Sequence, residues 1–105
     1  MPSSRTDVST DHASRYLQQL CKHWAHKFQT EFTPVRGQIE LPLGRTLPLA
    51  DDAVLSIEVT ASESADLPQL QDVVQRHVER FAFRETLRFD WQTAGGEAVP
   101  TAGDT

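Results

Sequence analysis

Cysteine is almost missing from this 105-residue chain: Cys21 stands alone, so no internal disulfide can form. Long hydrophobic runs are missing too. None approaches the ~20 residues of a membrane-spanning helix, which excludes an integral helical membrane protein. The leading residues, Met-Pro-Ser-Ser-Arg-Thr-Asp, lack the apolar stretch of a secretory signal. A lone thiol and no signal point to a reducing cytoplasm. Lysine is limited to Lys22 and Lys27 and the net charge is −5, so general affinity for nucleic acid or for a membrane surface is not expected. Also absent are a Gly-rich phosphate loop, a nucleophile elbow, a zincin motif and a Cys-x-x-Cys pair. With them goes the main support for a cofactor-dependent enzyme, and no cofactor is expected.

What is present suits one small domain. The 38% apolar and 24% charged fractions are those of an ordinary globular protein, and the length allows one hydrophobic core. Disorder is expected at 1–5 and over 94–105 (AGGEAVPTAGDT), leaving a single domain at 6–93. Thr6 to Thr10 suits a short first strand with Val8 inward. Asp11 is a plausible N-cap for a helix running to Lys27 or Phe28, whose apolar face gathers Ala13, Leu17, Leu20, Cys21, Trp24, Ala25 and Phe28.

From Phe28 to Ala61 the period becomes two. Phe28, Thr30 and Phe32, then Ile39, Leu41 and Leu43, then Leu47 and Leu49, then Leu55, Ile57 and Val59 predict four strands with those residues on the greasy face. Pro34-Val35-Arg36-Gly37, Pro42-Leu43-Gly44 and Ala50-Asp51-Asp52 mark the turns, and Pro48 predicts an edge strand or a bulge. Ser64 or Asp66 would cap a second helix with Pro68 in its first turn, and Leu87, Phe89 and Trp91 would form a last strand. The expected fold is α+β, of order β-α-β-β-β-β-α-β: an antiparallel sheet with two helices on one face. The other face, with Gln29, Glu31, Gln38, Glu40, Glu58, Arg88 and Asp90, should be solvated, and its carboxylates would repel phosphates.

Three stretches carry a family likeness: Arg15-Tyr16-Leu17-Gln18-Gln19-Leu20-Cys21-Lys22-His23-Trp24-Ala25-His26-Lys27, Leu41-Pro42-Leu43-Gly44, and His77-Val78-Glu79-Arg80-Phe81-Ala82-Phe83-Arg84-Glu85. Together the chain resembles, over residues 6–91, the small bacterial proteins grouped as domain of unknown function 2218. The resemblance implies a TATA-binding-protein-like arrangement and no established activity. It also implies a context of siderophore and iron uptake, which is association rather than mechanism.

Candidate site residues lie mostly on the first helix. Cys21, His23 and His26 are metal-ligand types, but about 100° per residue puts His23 at about 200° and His26 at about 140° from Cys21. The thiol points away from both imidazoles, so no metal site is expected there. Arg15, Gln19, Lys22 and His26 follow one another at spacings of four, three and four, a line of donors flanked by His12 and His23. Such a line suits an anion, whether a carboxylate- or phosphate-bearing small molecule such as a siderophore or an acidic protein partner. It equally suits a solvated face whose Lys22, His26 and Lys27 complement the helix dipole.

His77 interrupts the apolar face of the second helix. It is either a core histidine satisfied by a carbonyl or hydroxyl, or the partner of Cys21 in a small enzyme, where an imidazole would activate the thiol. Arg76, Arg80 and Arg84 with Glu79 and Glu85 suit helix-face ion pairs, Asp72 to Arg76 among them. No third catalytic group accompanies Cys21 and His77, so no catalytic residue is assigned. The expected function is a non-catalytic binding or accessory module, with the Cys21/His77 enzyme as the alternative.

Overall fold

Ser4, Thr6 and Val8 alternate with Arg5, Asp7 and Ser9, buried against exposed, to make strand β1 (Ser3–Ser9) in a computed structural model that describes residues 2–94. Helix α1 (Ala13–Ala25) follows, then the meander β2 (Thr30–Phe32), β3 (Gly37–Leu41), β4 (Gly44–Ala50) and β5 (Val54–Ala61). Helix α2 (Leu67–Phe81) and a last strand β6 (Gln92–Ala94) complete the order. The six strands form one antiparallel sheet in the order β2-β3-β4-β5-β1-β6. Both helices cover the same face. Leu17, Leu20 and Cys21 of α1 and Leu70, Val74 and Val78 of α2 close over Val8, Ile39, Leu55, Ile57 and Val59, all wholly buried. The α+β class and two-layer layout are those the periodicity predicts.

Several boundaries differ. β1 begins at Ser3 rather than Thr6, because β5 is long enough to pair it from Ser3↔Thr60 to Ser9↔Val54. Asp11 does not cap α1. His12 stands at the N-cap without a side-chain cap, its own N–H held by Thr10 Oγ1 at 3.1 Å, and α1 ends at Ala25 with the Phe28 N–H folded back on Trp24 O at 2.8 Å. Neither Ser64 nor Asp66 makes a side-chain cap. A 3-10 turn, Ser64–Asp66, leads into α2 instead, and Pro68 occupies its first turn.

The last strand is shifted. Leu87, Phe89 and Trp91 do pack against the core, but their segment is held by side chains: Asp90 N–H donates to Thr6 Oγ1 at 2.9 Å and Trp91 Nε1 to Gln75 Oε1 at 2.9 Å. Ladder pairing to β1 starts only at Gln92, so Arg88 and Asp90 are not sheet residues. The expected terminal disorder at Met1 and 95–105 falls outside the described residues.

The strand β4 has the opposite phase to the one its leucines suggest. Pro42 and Leu43 form a two-residue turn, so Leu41 pairs Gly44 and Ile39 pairs Thr46. In antiparallel pairs opposed residues share a face, and the face of buried Ile39 is therefore the face of Thr46 and Pro48. Leu47 and Leu49 point to the open side, Leu49 being 47% exposed. Nor is β4 an edge. Its ladder to β3 breaks at Leu47 and Pro48, the latter without an N–H, and resumes at Arg36↔Leu49 with two residues between on each strand, so no bulge is needed.

Candidate functional site

Burial of Tyr16, Leu17, Leu20, Cys21 and Trp24 against the sheet fixes the outward row of α1. Arg15, Gln19, Lys22, His23 and His26 are all exposed, as the spacing predicts. The ion pairs of the described residues are elsewhere: Arg5–Asp7 at 3.1 Å, Arg45–Glu40 at 2.9 Å and Arg76–Asp72 at 3.1 Å. Arg15, Lys22 and His26 have no carboxylate partner among the described residues. The helix itself is pinned at its start, where Ser14 Oγ donates to Pro34 O in the β2–β3 turn and accepts from Gln18 Nε2 at 3.0 Å. A row of free donors thus sits on a fixed backbone.

His77 and Cys21 take separate places. The thiol faces the sheet at Gly37, where a Cβ would lie 2.6 Å from its Sγ, and burial alone pushes its pKa up to about 11. The His77 ring instead lies against His23 and Trp24, with centroids 5.0 and 4.7 Å away, and its Nδ1 is 2.7 Å from Val73 O. That carbonyl accepts the Nδ1–H of the imidazole. Phe81 adds its edge to His23 at 6.0 Å. Partial burial, and then the charge of His77, hold the His23 imidazole below its ordinary pKa. No hydrogen bond joins Cys21 to an imidazole among the described residues, and a thiol raised this far is no nucleophile at neutral pH.

Glu85 was expected in a helix-face ion pair, yet it lies past the end of α2. Its carboxylate accepts from the buried Tyr16 hydroxyl and from Thr10 Oγ1 at 3.0 Å, tying the segment after α2 to the start of α1. Burial, then the Glu85 hydrogen bond and charge, push the Tyr16 pKa up to about 12. The folded state holds the protons of Tyr16 and Cys21 more tightly than the unfolded chain does, so stability falls as pH rises. The loss should run from about pH 9 to about 11 for Cys21 and from about 10 to about 12 for Tyr16. Urea midpoints between pH 8 and 11.5 should show the fall, and Tyr16→Phe should flatten its upper part. Midpoints unchanged through pH 11 would contradict the burial of both groups.

These helices and this sheet match proteins already grouped together. The sequence profile of an uncharacterised protein family conserved in bacteria, DUF2218, matches residues 5–92. The chain belongs to DUF2218. Comparison with curated proteins gives no match. Among solved structures, the NMR structure of PA4090 from Pseudomonas aeruginosa is similar, at 37% identity and a TM-score of 0.74. The match covers 88% of this chain and 96% of that one. DUF2218 membership agrees with the family likeness of the three motif stretches and supports the α+β fold, while the site chemistry has to come from the residues.

On the open face of this DUF2218 sheet the reversed phase of β4 creates a feature that strand periodicity hid. Leu47, Leu49 and Phe32 line a groove of about 690 Å³ together with Arg5, Arg36, Glu31 and Glu58. The face is therefore not the evenly solvated surface expected, and its two arginines and two glutamates offset one another. None of the described helices of this DUF2218 chain is long and apolar enough to cross a membrane.

Proposed function

We propose that this chain is a non-catalytic binding or accessory module that accepts an anionic ligand or an acidic protein segment on the outer face of α1. The observation that carries this reading is the run of Arg15, Gln19, Lys22 and His26, exposed together and without a carboxylate partner among the described residues. Among the described residues Arg5, Arg45 and Arg76 are matched by acids while Arg36, Arg80, Arg84 and Arg88 are not, so it is the alignment along one helix face that sets the α1 row apart. The ligand class is one whose carboxylates or phosphates can bridge about three helical turns from Arg15 to His26, about 16 Å at the 1.5 Å rise of a helix, or the shorter step of about 11 Å from Arg15 to Lys22. Carboxylate-bearing siderophores belong to that class, in line with the iron-uptake context the family resemblance implies. A cytoplasmic setting, where a free thiol persists, goes with this reading.

The test is an NMR titration of the full chain with citrate, inorganic phosphate and a poly-glutamate peptide. Shifts should centre on α1, weaken with added salt, and vanish in the triple variant Arg15→Ala/Lys22→Ala/His26→Ala. The three sites are exposed, so each substitution should alter stability by about 0.5 kcal/mol or less. Binding that survives in the folded triple variant would overturn the reading.

A further inference from the structure

The packing of α1 on α2 brings together two imidazoles that the sequence places 54 positions apart on different helices. The ring centroids of His23 and His77 are 5.0 Å apart and the planes tilt by 50°. Nitrogen ligands sit about 2.0–2.1 Å from a zinc ion, and a ring centre lies about 1.1 Å behind its nitrogen, so two imidazoles meeting a tetrahedral ion have centres about 5 Å apart. The observed spacing agrees with that distance, which packed rings without an ion also adopt, as Trp24 and His77 do at 4.7 Å.

The tautomer of His77 is also settled by its surroundings. A backbone carbonyl only accepts, so Nδ1, 2.7 Å from Val73 O, carries a proton, and in the neutral imidazole it is Nε2 that holds the lone pair. An imidazole whose far N–H is tied to a carbonyl is the usual oriented metal ligand, its direction and basicity set by that bond. Trp24 lies against the His77 ring with centroids 4.7 Å apart, and Phe81 lies edge-on to His23, so both rings have packed supports.

We propose that His23 and His77 form a two-imidazole site for a divalent transition-metal ion of the zinc, nickel or copper class, bridging α1 and α2. No group of three or more His, Cys, Asp or Glu suited to a metal occurs among the described residues, so the ion has two protein ligands and open positions. Water or an anion fills those. Arg80, His26 and Lys27 are the other charges that act on His23, all cationic, so an anion in an open position offsets their repulsion of a bare dication. The site's two ligands are distinct from the anion-binding row: Arg15 and Lys22 take no part in it, and His26 contributes only its charge.

Titration of the untagged full chain with Zn²⁺, followed by the imidazole Cε1–H signals in NMR, tests this. One equivalent should shift His23 and His77 ahead of His12 and His26, raise the thermal midpoint, and be reversed by EDTA. Loss of a partner behind a metal ligand weakens binding by about 10–100-fold, so loss of the ligand itself in His23→Ala should weaken it at least as much. His77→Gln, which keeps a polar side chain between the helices, should do the same, and His12→Ala should do nothing. Unmoved His23 and His77 signals, or an affinity unchanged in folded His23→Ala, would overturn the site whatever becomes of anion binding.

Discussion

Gly44→Ala is expected to destabilise the domain by about 2–5 kcal/mol, adding backbone strain to overpacking. Gly44 closes the Pro42-Leu43 turn with φ at +156°, a region that residues with a Cβ rarely enter. Space is the second obstacle. The Cβ of alanine would strike the carbonyl oxygen of Thr60 and lie 2.8 Å from Ala61 Cα, both backbone atoms of the long central strand β5. Neither can yield, because β5 is paired on one side from Gly44↔Ala61 to Ala50↔Leu55 and on the other by β1. For a domain with about 5–15 kcal/mol in total, such a loss should lower Tm by about 10 °C or more. Thermal unfolding followed by circular dichroism measures it directly. A Tm within about 2 °C of the parent would mean that the turn is not held in this conformation.

The same turn explains where sequence periodicity stops being informative. Leu43, Leu47 and Leu49 continue the alternation begun by Ile39 and Leu41, and taken alone they predict one apolar face. A two-residue turn resets the phase, because Leu41 must oppose Gly44. Hydrophobicity alone could not show this, since Thr46 and Pro48 are the residues that turn inward and neither is strongly apolar. The signal available was Pro42-Leu43-Gly44 itself, with glycine where a tight turn needs a positive φ. The helices were more legible, since α1 and α2 each repeat their apolar positions over three turns or more and tolerate an error of a residue at either end.

Site residues divide along the same line. Exposure of Arg15, Gln19, Lys22 and His26 follows from spacing within one helix, and the structure places them as that spacing predicts. Partners across elements do not follow. His77 meets His23 rather than Cys21 because α2 lies beside α1 over β5 and β1, while Cys21 looks down at β3; neither helix encodes that offset locally. Glu85 reaches Tyr16 and Thr10 across 69 and 75 positions, a contact decided by where the segment after α2 turns. In each case the residue was conspicuous in the sequence and its partner was not.

Cys21 and Gly37 are expected to behave as one unit in a double-mutant cycle. Gly37 faces the helices opposite Pro48, and an alanine Cβ there would lie 2.6 Å from Cys21 Sγ and 3.2 Å from Pro48 Cγ. Pro48 is fixed in β4, so the thiol has to give, and it is fully buried between Leu17, Leu20 and Trp24 of its own helix and the sheet. Gly37→Ala should therefore cost about 1–3 kcal/mol as overpacking. In a Cys21→Ala background the new methyl occupies space the sulfur has vacated, and the double variant should be more stable than the summed single costs predict. A coupling of about 1–2 kcal/mol is expected, within the range for residues in contact. Urea unfolding of the four proteins measures it. Simple additivity would show that α1 does not rest on β3 at Gly37. The same contact settles the chemistry open to the thiol: Sγ fills the space that glycine leaves, so alkylation of Cys21 should track unfolding of the domain rather than proceed in the native state. Thiol modification at a rate independent of denaturant would contradict that. On this account Cys21 sits where α1 comes close to β3, one of the buried residues, with Tyr16, Leu17, Leu20 and Trp24, that together leave Arg15, Lys22 and His26 on the outside.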